Sequence, residues 1–80
     1  MGIKEAVVAR FKDICDNREI AINELANRSG VTPSTAYSMI DTNRKDISIK
    51  TIKKFCDGLD ISLKEFFDDP LFDGLEQEIR

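Results

Sequence analysis

Residues 29–33, Ser-Gly-Val-Thr-Pro, close one helix and open the next within a few positions, and this break constrains the fold more than any other segment. Gly30 suits the left-handed position that ends a helix. Thr32 is a good N-cap, and Pro33 falls on the first helical position, where its missing N–H costs nothing. The helix before the break is predicted over 22–29, with Leu25 and Ala26 inward. The helix after it is predicted over 33–41, with Ala36, Met39 and Ile40 on one face. Two helices joined by so tight a turn must cross steeply, so the second stands out as a ridge. Its outward side offers Ser34, Thr35, Tyr37, Ser38 and Asp41, mostly short groups that hydrogen-bond without blocking close approach.

The flanking segments read as helices too. Ile3, Val7, Phe11, Ile14 and Cys15 recur at helical spacing and predict a first helix over 3–17. After a polar, basic loop from Thr42 to Ile47, Ser48 caps a fourth helix whose apolar stripe is Ile49, Ile52, Phe55, Cys56 and Leu59, with Gly58 near its end. Ser62 and Glu65 form a capping box that opens a fifth helix over Leu63, Phe66 and Phe67, and Pro70 stops it. Strand alternation is absent. The expected fold is therefore all-α, with five helices in one domain over 1–68 and an acidic tail over 69–80. Leu71, Leu75 and Ile79, spaced i, i+4, i+8, admit a short sixth helix, against which Asp73-Gly74 argues. These tail residues either pack back on the domain or form a dimer contact.

Several function classes drop out. The chain has no histidine, so histidine acid–base catalysis is excluded. Cys15 and Cys56 lie 41 positions apart, each inside an apolar helical pattern, and read as small core residues in a reducing compartment. Asp68-Asp69 point apart on a helix end with no third ligand nearby, so neither a metal nor a cofactor is expected. No small-molecule ligand or catalytic residue is evident. No apolar stretch could cross a bilayer and no signal peptide opens the chain, which predicts a cytoplasmic protein.

The net charge of −3 argues against a nucleic-acid partner until its distribution is considered. Residues 68–80 hold five acids and one base, whereas residues 43–54 hold five bases (Arg44, Lys45, Lys50, Lys53, Lys54) and one acid, Asp46. DNA responds to the field of the docking face far more than to total charge. Lys50, Lys53 and Lys54 read first as a solvated helix face, with electrostatic assistance as the other reading.

The stretches INELANRSGVTPSTAYSMI and ISIKTIKKFCDGLDISLKEFF resemble the phage repressor and Cro-type (XRE) helix-turn-helix family across residues 4–68. The resemblance implies a five-helix DNA-binding domain that regulates transcription, as a repressor, and binds double-stranded DNA as a homodimer. It makes the third helix the recognition helix. Pro33, Ser34, Thr35 and Ser38 match positions that face bases or the nearest phosphates, and Tyr37 lies along the flank, reading a base or packing beside the loop. Thr32, Asn43, Arg44 and Lys45 match positions that grip the sugar-phosphate backbone. The sequence departs from the family pattern at Ala21 and Ile22, where Ser or Thr and then Gln often stand. Pro33 replaces a frequent Gln, Thr42 a frequent Gly, and Cys15 with Ile40 an Arg–Glu pair. A protein-interaction module such as an antitoxin or anti-repressor on the same fold is the alternative reading.

Overall fold

The computed structural model describes residues 1–41, 43 and 46–79. They form five helices: α1 (Ile3–Asn17), α2 (Ile22–Ser29), α3 (Pro33–Ile40), α4 (Ile49–Gly58) and α5 (Leu63–Phe67), followed by a 3-10 turn at Pro70–Phe72. Among the described residues there is no strand. The all-α architecture predicted from the pattern is the observed one, and α3 ends one residue earlier than its spacing suggests.

Three of the helices end in the same way. Beyond α1, α2 and α4, a residue turns left-handed: Glu19 at φ 55°, Gly30 at φ 69° and Asp60 at φ 56°. The next residue donates its N–H back five positions, Ile20 to Cys15 at 2.8 Å, Val31 to Ala26 at 3.1 Å and Ile61 to Cys56 at 3.0 Å. Each of these residues, Ile20, Val31 and Ile61, then packs its apolar side chain into or against the core. This is the Schellman closure, in which a hydrophobic contact locks the reversal. Helix starts are equally explicit. The hydroxyl of Ser48 accepts the Thr51 N–H at 3.1 Å, and Ser62 accepts that of Glu65 at 3.0 Å while Glu65 accepts the Ser62 N–H in return.

The core is built on aromatic contacts. All five phenylalanines join in one chain of contacts: Phe11 meets Phe55 at 5.5 Å and Phe66 at 4.3 Å, and Phe66 and Phe67 both meet Phe72. Such pairs contribute about 0.5–1.5 kcal/mol each beyond the area they bury. The set ties α1 to α4, α5 and the 3-10 turn. On the far side, α4 abuts α2 where Gly58 meets Arg28 and Ser29. A Cβ on Gly58 would lie 2.4 Å from Ser29 Oγ and 2.9 Å from two backbone atoms. The two helices therefore close to this distance only because residue 58 has no side chain.

The sixth helix does not form. Gly74 is left-handed at φ 69°, a conformation no α-helix contains, and the Glu76 N–H donates to the Met1 carbonyl at 3.1 Å instead of to a helical acceptor. The tail is instead strapped along α1. Phe72 packs against the core, Asp69 pairs with Arg10 at 3.4 Å, and Glu76 pairs with the Met1 amino group at 3.4 Å. Leu71 and Leu75 are half-buried, and Ile79 is exposed. Two further expectations need correction. Ile3 and Ile49, assigned to apolar stripes, are 40% and 63% exposed, because each sits on the first turn of its helix where the core has fallen away.

Two measurements check this account. Gly58→Ala should lower stability by about 1–3 kcal/mol, since the clash falls on backbone as well as on a side chain. Asp60→Gly should raise it by up to about 1 kcal/mol by relieving a left-handed non-glycine residue, both read by thermal denaturation.

Cys15 and Cys56 are free and buried, as the pattern predicts. Burial pushes both thiols up, chiefly by desolvation, and Cys56 from 9.0 to about 11. A thiol whose folded pKa is raised favours the folded state fully below pH 9 and loses that contribution as pH climbs toward 11. Denaturation midpoints should accordingly fall across that window, and both thiols should resist alkylation until the chain unfolds.

Candidate nucleic-acid interface

The reversal at Gly30 sets α3 across α2, and their facing side chains disappear into the core. Leu25 and Ala26 of α2 and Ala36 of α3 are fully buried, and Met39 nearly so. What remains outside is a continuous face: Thr32, Pro33, Ser34, Thr35 and Tyr37 are exposed and Ser38 is half-buried. Tyr37 is 53% exposed, so it is not packed away beside the loop.

Both ends of this helix are held. At the N-terminus the Thr32 hydroxyl accepts the Thr35 N–H at 3.2 Å and lies 3.1 Å from the Thr35 hydroxyl. At the C-terminus α3 carries no basic residue of its own in its last turn. Lys4 reaches over from α1 instead, and its Nζ donates to the Asp41 carbonyl at 3.4 Å. A cation there satisfies an orphan carbonyl and complements the negative end of the helix dipole. Lys4 is only 7% exposed, the one charged residue buried among those described. The sequence held a signal for it: Lys4 stands in register with Val7, Val8, Phe11, Ile14 and Cys15, which are among the buried positions of α1.

Beside the exposed face runs a crevice of about 180 Å³, lined by Thr35, Ser38, Met39, Asp46, Ile47, Ser48 and Thr51. It brings hydroxyl-bearing residues of α3 and of the α4 N-terminus to one place, with Asp46 also on its wall. Charge counting along the sequence registers Asp46 only as a lone acid in a basic stretch. Asn43 is exposed, and its N–H donates to Asp41 Oδ1 at 3.0 Å. Arg44 and Lys45, the two cations expected to grip phosphates, lie outside the described residues, as does Thr42. Lys50, Lys53 and Lys54 are solvent-exposed, and Lys53 pairs with Asp57, which pushes its pKa up through a side-chain hydrogen bond.

A family model described as the Cro/C1-type HTH DNA-binding domain matches residues 10–70, which include α2, the turn, α3 and the closing α5. The chain belongs to this family. No curated protein and no solved structure gives a match. Membership of the Cro/C1-type family makes this a DNA-binding domain of transcription regulation in general terms. No helix among the described residues is long and apolar enough to cross a membrane. The departures seen in the sequence have structural counterparts in this Cro/C1-type domain. Helix α2 opens behind Ala21, which gives no side-chain cap, and Cys15 and Ile40 supply apolar packing where the resemblance implies an ion pair.

The cap and the exposed face are separable by mutation. Thr32→Ala should cost about 1 kcal/mol of stability through the lost cap, and Ser34→Ala less than about 0.5 kcal/mol. Denaturation midpoints of the two variants measure the difference.

Proposed function

We propose that this domain is a sequence-specific transcriptional regulator, acting as a repressor, that reads duplex DNA with the exposed face of α3. The observation that carries the reading is a short helix left bare on one side yet fixed at both ends, by the Thr32 cap and by Lys4. Eight residues give a rod roughly 12 Å long, and a major groove about 12 Å wide admits it. Ser34, Thr35 and Ser38 supply hydroxyls for base edges. Pro33 and Tyr37 offer apolar surface suited to thymine methyl groups. Thr32, Asn43, Arg44 and Lys45 are the residues assigned to the sugar-phosphate backbone. One such module buries only about 600–1,000 Å² on DNA, so a homodimer on a two-fold operator supplies the needed specificity.

Binding to selected duplexes should weaken steeply with salt, with a log–log slope of about −0.9 for each phosphate neutralised. Replacing Ser34 and Ser38 by Ala should change discrimination among sites, by about 1 kcal/mol for a single hydroxyl. Replacing Arg44 and Lys45 by Ala should weaken all sequences alike. Fluorescence anisotropy over a salt series reads all three. Failure to bind any duplex recovered by selection would sink this reading and favour the protein-interaction alternative, an antitoxin or anti-repressor.

A further inference from the structure

The crevice between α3 and the start of α4 is lined by polar residues of two kinds. Most of its hydroxyls are already committed. Thr35 Oγ1 lies 3.1 Å from Thr32 Oγ1, and Ser48 Oγ lies 2.8 Å from Thr51 Oγ1 while accepting the Thr51 N–H. The Ser38 hydroxyl and the Asp46 carboxylate have no hydrogen-bond or ion-pair partner among the described residues. The other acid near this end of α3 is Asp41, whose Oδ1 is occupied by the Asn43 N–H. Asp46 is exposed, yet its chain is tethered on the C-terminal side, because Ile47 packs against the core and Ser48 caps α4.

An unpaired carboxylate is out of place on a surface that meets phosphates. It accepts hydrogen bonds and donates none, and its charge repels every phosphate. Asp46 is also the one acid from Asn43 to Lys54, among five bases. What such a group can meet on duplex DNA is an amino group on a base edge. We propose that Asp46 is a specificity-determining residue that accepts a hydrogen bond from the N4 amino group of a cytosine in the major groove. The inference rests on the proposed reading of DNA by the exposed face of α3, and it adds to that face a residue from outside the helix.

The pattern of base edges singles out cytosine. Guanine offers only acceptors in the major groove, and thymine an acceptor and a methyl group, so both turn a carboxylate away. Adenine offers an amino group but sets the N7 acceptor beside it. Cytosine alone presents an amino donor with no acceptor of its own. The unpartnered Ser38 hydroxyl lines the same crevice and can donate as well as accept, so it imposes no such choice. A wrong base opposite Asp46 leaves a charge stripped of water and unpaired. The residue therefore acts more on discrimination than on affinity, by penalising competitors.

Selection of duplexes from a random pool, run in parallel with the wild type, Asp46→Asn and Asp46→Ala, tests the proposal. The wild type should recover sites with cytosine at one fixed position of each half-site. Asp46→Asn should move that position toward adenine, because a carboxamide pairs with adenine N6 and N7 together. Asp46→Ala should lose the preference there and keep it elsewhere. In fluorescence anisotropy the wild type should bind the cytosine site about tenfold more tightly than the same site carrying thymine at that position, and the alanine variant should bind the two alike. Asp46 is exposed and unpartnered among the described residues, so circular dichroism and melting of both variants should match the wild type. An unchanged base preference in both variants overturns the inference and leaves the proposed function standing. A uniform rise in affinity for all duplexes also overturns it, because Asp46 then acts by phosphate repulsion alone. Recovery of no duplex by the wild type refutes both the inference and the reading beneath it.

Discussion

Helix α1 and the Arg18 that caps it end three other helices with their cations. Lys4 donates to the carbonyl after α3, Arg18 to the Leu59 carbonyl after α4, and Arg10 to the Phe66 and Glu65 carbonyls of α5 at 2.8 and 2.9 Å. Each bond removes an orphan acceptor and places positive charge against the negative end of a helix dipole. Hydrogen bonds to charged groups contribute about 1.5–3 kcal/mol, more than neutral ones. The Arg10 guanidinium also lies 6.0 Å from the centre of the Phe66 ring and pairs with Asp69, so one side chain joins α1, α5 and the tail. Of the other four helices, only α2 is closed without a cation from α1 or its cap, and it has Gly30 for that purpose.

This arrangement explains how α3 can remain bare. A short helix normally draws its stability from the face it buries, and α3 is only eight residues long. With its start fixed by Thr32 and its end fixed by Lys4, it needs only Ala36 and Met39 buried beneath it. The remaining surface is free of structural duty. The acidic tail is likewise partly consumed by structure, since Asp69 pairs with Arg10 of α1 and Glu76 with the Met1 amino group. Net charge was a poor guide to the chain for this reason: some of the acids neutralise nearby cations instead of facing a ligand.

The helix map was legible because most of its boundaries are written locally. Thr32, Ser48 and the Ser62–Glu65 box announce starts, and Gly30 announces a stop. Glu19 and Asp60 make the same left-handed stop without glycine, so their positions were marked only by a lapse in the apolar pattern. The exposed face of α3 followed from the register of Ala36 and Met39. What could not be read were contacts between residues far apart in sequence. Lys4 to Asp41, Arg10 to α5 and Glu76 to Met1 decide the fate of a buried lysine and of the tail, and no local period encodes them. Leu71, Leu75 and Ile79 keep helical spacing, yet Gly74 and the bond to Met1 hold the segment open. Ile49 continues an apolar stripe but lies beyond the core, so periodicity placed it inside.

The dependence of three helix ends on α1 also bears on how the chain folds. Caps and Schellman closures join neighbours within six residues and are therefore local contacts. Phe11, Lys4, Arg10 and Arg18 find their partners only beyond residue 40, so docking of α1 requires the longest chain closure in the domain. When α1 leaves, the carbonyl ends of α3, α4 and α5 lose their cations together and the aromatic cluster loses its centre. Through α1 and its cap, the ends of α3, α4 and α5 are coupled to one another.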